Sequence, residues 1–460
     1  MLVLDAIVRI KIADPKASTR GADALTPVYP DQGWPSRRAS RLWLAVLLCA
    51  YASSYIDRQI LSLMVGPIKA DLGITDSQFS LLHGLSFAMF YCILGLPVGD
   101  LVDRVNRGRL IAGGIVLWSL MTALCGTANS FGRLFLTRIG VGAGEAILNP
   151  AAYSLLADCF PPHRLGRALS IYIAGAGIGA GIAFMLGGAV IGAVEHLGPL
   201  PLIGEMRPWQ KAFLLVSLPG IPIAIALLMM REPARKGEVD KVAVPWRTFF
   251  QFIAARRSLM ARFMSGIACT AAISLATLNW APAFLMRTFK LSATEVGFML
   301  GLVTMVGIVG GLLAGAYLAE WAARRGMAQP QIRVAAVATL LAVPPAIGMP
   351  FVGSLSGALA CLLVLLVFTN MPFGVASATM QLLTPNQLRG RMSAFLLFCQ
   401  NGFGMICGPL IPALLTDHLF DGEGTSLGYS LAISITLFGV FGGVALLSAE
   451  RHARVATFAL

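Results

Sequence analysis

The sequence predicts an all-α polytopic membrane protein, twelve transmembrane helices arranged as two repeated six-helix halves. Three observations carry that prediction: the composition, a series of apolar runs of spanning length, and a pattern that recurs at about half the chain length. Of 460 residues, 57% are hydrophobic and only 12% charged, with a mean hydropathy of +0.77. Average soluble domains carry roughly 25% charged residues, so a soluble protein of this composition would have too little polar surface.

A spanning helix needs about 20 mostly apolar residues. Twelve runs qualify: 42–67, 77–101, 109–128, 131–158, 167–194, 211–230, 259–286, 293–321, 332–350, 355–383, 390–416 and 428–449. Backbone groups in lipid must be satisfied internally, so these runs are read as helices. The widest connection, 231–258, follows the sixth run and divides the chain. Its segment WRTFFQFIAARR is aromatic and basic at helical spacing, which fits either an amphipathic helix on the membrane surface or an ordinary linker. The organisation is therefore a tail (1–41), a first bundle (42–230), the linker (231–258), a second bundle (259–450) and a short tail (451–460).

The halves repeat. PPHRLGRALS (161–170) aligns without gaps to PNQLRGRMSA (385–394), matching Pro161 with Pro385, Gly166 with Gly390 and Arg167 with Arg391. LGITDSQFSLLHGL (72–85) resembles FKLSATEVGFMLGL (289–302). Two parallel repeats put a cavity at their interface.

The net charge of +13 does not point to nucleic acid, because the charges lie between apolar runs. With the N-terminus inside, 27 of the 35 Lys and Arg fall on the cytoplasmic side and six outside, Lys69, Arg133, Arg207, Lys211, Arg287 and Lys290. That bias sets both termini in the cytoplasm. Residues 1–40 are polar and weakly patterned, unlike a cleavable signal. The eight cysteines (Cys49, Cys92, Cys125, Cys159, Cys269, Cys361, Cys399, Cys407) lie in or beside apolar runs without metal-ligand or disulfide spacing. They read as free buried thiols. No metal and no cofactor is expected.

Several motifs resemble those of the major facilitator superfamily. GDLVDRVNRGRL (99–110), between runs two and three, resembles its G-x-L-x-D-R-x-G-x-R signature at Gly99, Leu101, Asp103, Arg104 and Arg107, with Asn106 in place of a glycine. GAYLAEWAARRG (315–326) resembles a degenerate copy, with Glu320 near the acidic position. Within the superfamily, YIDRQIL in the first run, GDLVDRVNRGR after the second and TRIGVGAGEA (137–146) in the fourth resemble spinster-type transporters, the specific motifs being confined to the first half. The resemblance implies the major facilitator fold, export of lysolipids or sphingoid lipid phosphates, proton coupling, and a bacterial inner-membrane location. It also implies a conformational latch holding the outward-open state. In it Asp103 faces the N-terminus of span 11, whose dipole favours a carboxylate, and Arg107 pairs with Asp158. A positive-inside cluster without a latch role is the alternative reading of Gly99, Asp103, Arg104 and Arg107.

Four ionisable residues lie within spans of the first half: Asp57, Arg58, Arg138 and Glu145. Each costs ~2.5–3.5 kcal/mol on insertion scales, so each is expected to face a partner. A rise of ~1.5 Å per residue puts Asp57 level with Arg138 and Glu145 near the midplane. Arg138 and Glu145, seven apart, share a helix face. The superfamily fold brings spans 1 and 4 together, giving an expected Asp57–Arg138–Glu145 network with Arg58 nearby, and Arg138 as the cation shared with an anionic substrate. The network couples protons, or it is a fixed ion pair locking two helices. His83 is a proton relay or a satisfied helix histidine. Asn279, Asn370, Gln400 and Asn401 contact a head group or bond between helices. AGAGIGAGIAFMLGG (174–188) nearly matches a dinucleotide fingerprint but lacks the preceding strand and the following acid, so close helix packing is the better reading.

These features predict a secondary transporter, not an enzyme, since no catalytic set is visible. The expected partners are a small amphiphilic substrate, protons and membrane lipid, with the protein a monomer. A multidrug/proton exporter is the alternative, and a membrane-embedded enzyme the competitor from another class.

Overall fold

The computed structural model describes residues 34–195, 206–235, 246–385, 388–420 and 426–458. The predicted N-terminal tail and the middle of the linker lie largely outside these residues. Among them, eleven helices are long and apolar enough to cross a membrane. The twelfth crossing, span 4, is divided into Phe131–Glu145 and Leu148–Cys159. Two features set it apart. Its first segment carries Arg133, Arg138 and Glu145, and Pro150 has no N–H to give the carbonyl of Ala146, which breaks the ladder there.

The other spans follow in order. Span 1 is Arg37–Leu63, opened by a Ser36 cap whose hydroxyl accepts from the Ala39 N–H. Span 2 runs from Asp76–His83 into Leu85–Arg104, started by a Thr75–Gln78 capping box. Span 3 is Arg107–Cys125 and span 5 Pro162–Glu195. Span 6 comprises Pro208–Ser217 and Gly220–Met229. In the second half, span 7 is Arg257–Phe289, span 8 Ala293–Arg324, span 9 Pro330–Leu341 with Val343–Gly348, and span 10 Leu355–Leu383. Span 11 is Arg389–Leu419 and span 12 Leu427–Phe458. The linker contains a helix, Trp246–Ala255, whose Phe249 is buried edge-on against Phe395 of span 11 while Trp246 and Phe250 stay exposed.

Packing partners recur six spans apart. Span 1 packs on 5 as 7 packs on 11; span 2 on 4 as 8 on 10; span 3 on 6 as 9 on 12. Spans 5 and 8 join the halves, and their counterparts 11 and 2 do the same. The two halves are thus pseudo-symmetric bundles of six.

The glycine-rich stretch of span 5 explains the close joint. A Cβ on Gly188 would lie 2.9 Å from the Ala293 carbonyl oxygen of span 8, and one on Gly177 would lie 2.7 Å from Ile308. On the other side, a Cβ on Gly187 would meet Leu63 of span 1 at 3.0 Å. Span 5 is thus wedged between spans 1 and 8 by small residues on two faces, as backbone approach in lipid requires. The Thr294 hydroxyl donates to the Gly188 carbonyl at 2.9 Å across the same joint.

The end opposite the chain termini is sealed by charges. Asp76, fully buried, accepts two hydrogen bonds from Arg287 of span 7 at 2.7 and 2.8 Å and pairs with Lys69 of its own half. Asp417 of span 11 accepts from the backbone N–H of Ser77 at 2.6 Å and of Asp76 at 3.3 Å, capping the first helix of span 2 from across the interface. Phe79 packs on Trp280 beside it, ring centroids 6.1 Å apart.

Candidate functional site

Adjacent helix positions differ by about 100° in azimuth, so Asp57 and Arg58 leave span 1 in different directions. Arg58 turns to Glu145, with Nε 2.6 Å and Nη2 2.5 Å from the same Oε2. Its guanidinium lies over Phe87 at 4.4 Å, Tyr91 at 5.2 Å and Tyr55 at 5.5 Å. Asp57 turns to span 4 and span 3. Arg138 Nη1 donates to the backbone carbonyl of Asp57 at 3.2 Å, not to its carboxylate. The hydroxyl of Thr122 faces that carboxylate, yet neither of its oxygens has a well-formed hydrogen bond among the described residues.

All four charged residues therefore come together, but the pairing differs from the expected one. Glu145 belongs to Arg58, and Arg138 pairs with neither carboxylate. Accessibility differs as well: the Arg58 side chain is 15% exposed, whereas Arg138, Asp57 and Glu145 are each 1% exposed as residues. Arg138 is buried in this conformation, and Arg58 is the member of the group whose side chain presents exposed surface.

The local sequence GVGAGE explains how Glu145 is buried this deeply. Gly142 faces the backbone of Phe87 in span 2, and a Cβ on Gly144 would meet the Trp118 backbone N at 2.7 Å and the Gly114 carbonyl oxygen at 2.8 Å in span 3. Small residues bring span 4 against both neighbours and carry the carboxylate inward.

Toward the chain termini from this pair lies a tyrosine wall that the sequence reading missed. Tyr51 stacks on Tyr172 at 4.9 Å, Tyr153 meets Tyr172 edge-on at 5.6 Å, and Tyr51 meets Tyr55 at 5.3 Å. Asn149 bridges Tyr91 and Tyr172. Tyrosines three and seven positions before Arg58 were the available signal. Gln59, 3% exposed with an unpartnered Oε1, also escaped notice.

The weaker candidates separate. His83 meets Asn279 across the half interface near the sealed end. Asn370 donates to Leu366 O at 2.8 Å in its own helix. Gln400 and Asn401 are half-buried and form no hydrogen bond with a described residue.

At the terminal end, Arg107 is fully buried. It pairs with Asp158, donates from Nε to Glu232 at 2.5 Å and from Nη1 to Ser154 O and Oγ at 3.1 Å each. Glu232, at the start of the linker, was not anticipated. Every one of these partners belongs to the first half or to the start of the linker. Any latch against span 11 rests on Asp103, whose side chain, like Gly99, lies outside the described residues. Arg104 is exposed. Removing one member of a buried ion pair costs on the order of 3 kcal/mol or more. Arg107→Ala should therefore lower the thermal unfolding midpoint in detergent by several degrees, whereas Arg104→Ala should leave it unchanged.

The model of the family described as Major Facilitator Superfamily matches residues 47–409. An MFS-type efflux pump of Mycolicibacterium smegmatis is 31% identical over 429 residues, 90% of this chain and 94% of that protein. A probable L-galactonate transporter of Escherichia coli is 25% identical over 450 residues, 92% of each. The crystal structure of a bacterial homologue of the human lysosomal transporter spinster, in an inward-facing and unoccupied conformation, matches with a TM-score of 0.78 at 24% identity, covering 91% of this chain and 98% of that one.

Proposed function

We propose, from the premise that this chain belongs to the Major Facilitator Superfamily, that it moves lipid-like amphiphiles across the membrane in exchange for or together with protons. Membership makes it a multi-pass integral membrane transporter and not an enzyme. The substrate class and the coupling ion are the proposal. So is the orientation, with both termini cytoplasmic on the Lys and Arg bias and the sealed end facing out.

One observation carries it: an ion pair and an unpartnered carboxylate are buried side by side between spans 1 and 4. A carboxylate beside arginine stays ionised, and one desolvated without its partner takes up a proton. An anionic head group at Arg58 would draw the guanidinium from Glu145 and move that carboxylate from the first condition to the second. Each ligand then changes the affinity of the other. The aromatic wall beside Arg58 and the apolar spans around it suit a molecule with one charged and one long apolar end.

The test is purified protein in liposomes given a labelled lysolipid and an imposed pH gradient. Accumulation that collapses with the gradient supports the reading, and accumulation indifferent to pH removes the proton. The likeness to an efflux pump along 94% of its length favours a second reading, a multidrug exporter. Movement of unrelated lipophilic cations, with the lysolipid left behind, would establish that one instead.

Alternating access requires the outer seal to break. Asp76 keeps Lys69 within its own half when Arg287 departs, so Arg287→Ala should loosen the seal without leaving Asp76 unpaired. Spin labels at Ala70 and Thr288 should then show a longer-distance population absent from the parent protein. An unchanged distribution would mean that the charges at this end do not hold it shut.

A further inference from the structure

The hydroxyl of Tyr172 lies 2.9 Å from Asn149 Oδ1, and Asn149 Nδ2 lies 3.3 Å from the hydroxyl of Tyr91. The three residues come from spans 5, 4 and 2. Tyr172 is 0% exposed and Asn149 is its one hydrogen-bond partner among the described residues. A buried O–H must donate or remain unsatisfied. Tyr172 therefore donates, and the Asn149 carbonyl must face it. The opposite amide orientation would place two donors against each other or strand the Tyr172 proton in an apolar wall.

That orientation dictates the next bond. The Asn149 amide N–H donates to Tyr91, so Tyr91 accepts from inside the protein. Its own proton has no acceptor among the described residues. Tyr91 is half-buried, and its ring lies 5.2 Å from the Arg58 guanidinium, the one charged group of the site with an exposed side-chain surface.

We infer that the Tyr172–Asn149–Tyr91 relay makes Tyr91 an obligate donor and that, with Arg58, it forms a subsite selecting ligands whose polar end only accepts hydrogen bonds: a phosphate or a carboxylate. Tyr91 touches the ligand, and Asn149 and Tyr172 are positioning residues that keep its proton facing outward. The inference rests on the transporter reading of the same site and gives its substrate an anionic head group. It also explains why a neutral amide, which could present its carbonyl or its N–H with equal ease, is held in one orientation: a fully buried phenol sits behind it.

The experiment measures binding to the purified full chain in detergent of three probes: lysophosphatidate, a monoacylglycerol with the same acyl chain, and L-galactonate. Tyr91→Phe should weaken lysophosphatidate roughly 10- to 100-fold, as loss of a hydrogen bond to a charged group does, and leave the neutral monoacylglycerol within about twofold. Tyr172→Phe keeps Tyr91 but frees the Asn149 carbonyl to accept from it. It should produce a smaller loss of the same selectivity, about 3- to 10-fold. Equal losses for charged and neutral lipid would show that Tyr91 merely shapes the wall, and the subsite would be abandoned. Lysophosphatidate binding that ignores Tyr91→Phe would likewise overturn the subsite while leaving the lipid reading in place. Binding of L-galactonate alone, weakened by Tyr91→Phe, would uphold the subsite and remove the lipid.

Discussion

Asp57→Asn is expected to abolish gradient-driven accumulation of substrate while the protein still inserts, folds and exchanges substrate across the membrane without a gradient. The side chain keeps its size and loses its proton. Asp57 is 1% exposed, and neither carboxylate oxygen has a well-formed partner among the described residues. No hydrogen bond or ion pair among the described residues therefore requires a carboxylate there. A residue that locked two helices would behave differently: its amide variant would lose stability along with transport. Glu145→Gln should also lose accumulation, with some loss of stability added because its partner Arg58 is left unpaired. Transport assays in the presence and absence of a gradient, beside thermal unfolding in detergent, separate the two cases. Uphill accumulation at the parental rate in both variants would end the proton role.

The second large effect is expected at Arg58. Arg58→Lys keeps the charge but loses the planar fork that holds Glu145 and lies over Phe87, and lysine does not replace arginine at such sites. Affinity for an anionic lysolipid should fall at least tenfold. Arg58→Ala should be worse, since a buried carboxylate stripped of its partner typically costs 3–5 kcal/mol, by order of magnitude. Arg138→Lys is the contrast. That side chain holds the backbone of Asp57 and is buried in this conformation, so affinity for the same lysolipid should stay within about threefold. Greater loss at Arg138 than at Arg58 would reverse the assignment of the ligand-facing cation.

What could be read from sequence and what could not divide along a physical line. Helix existence and depth were legible, because apolar length and charge interruptions report position along the membrane normal. Asp57, Arg58, Arg138 and Glu145 stood out for that reason, and the rise per residue put Arg138 level with Asp57. Azimuth was not legible. A one-residue step turns the side chain by about 100°, and that step decides whether Asp57 or Arg58 meets Glu145. Arithmetic along the helix axis cannot supply it. The bend at Ala146–Ile147 was hidden within an unbroken apolar run, although Pro150 marks it. Asn149 and the tyrosines escaped because a single amide or phenol in a span is unremarkable until three spans bring several together. Glu232 sat at the head of a polar linker, where one more carboxylate carries no signal, and only the return of the chain beneath loop 2–3 gives it Arg107. The glycines of 174–188 were legible as packing, and the structure shows the two faces they serve.

In this scheme protons move with substrate through the carboxylates beside Arg58. The coupling is tested most directly by recording the pH inside weakly buffered proteoliposomes as labelled lysophosphatidate is added outside, for the parent protein and for Asp57→Asn. A substrate-dependent pH change proportional to the lysophosphatidate moved is expected in the parent, and none in Asp57→Asn even where substrate still exchanges. A pH change of equal size per substrate in both proteins would contradict it.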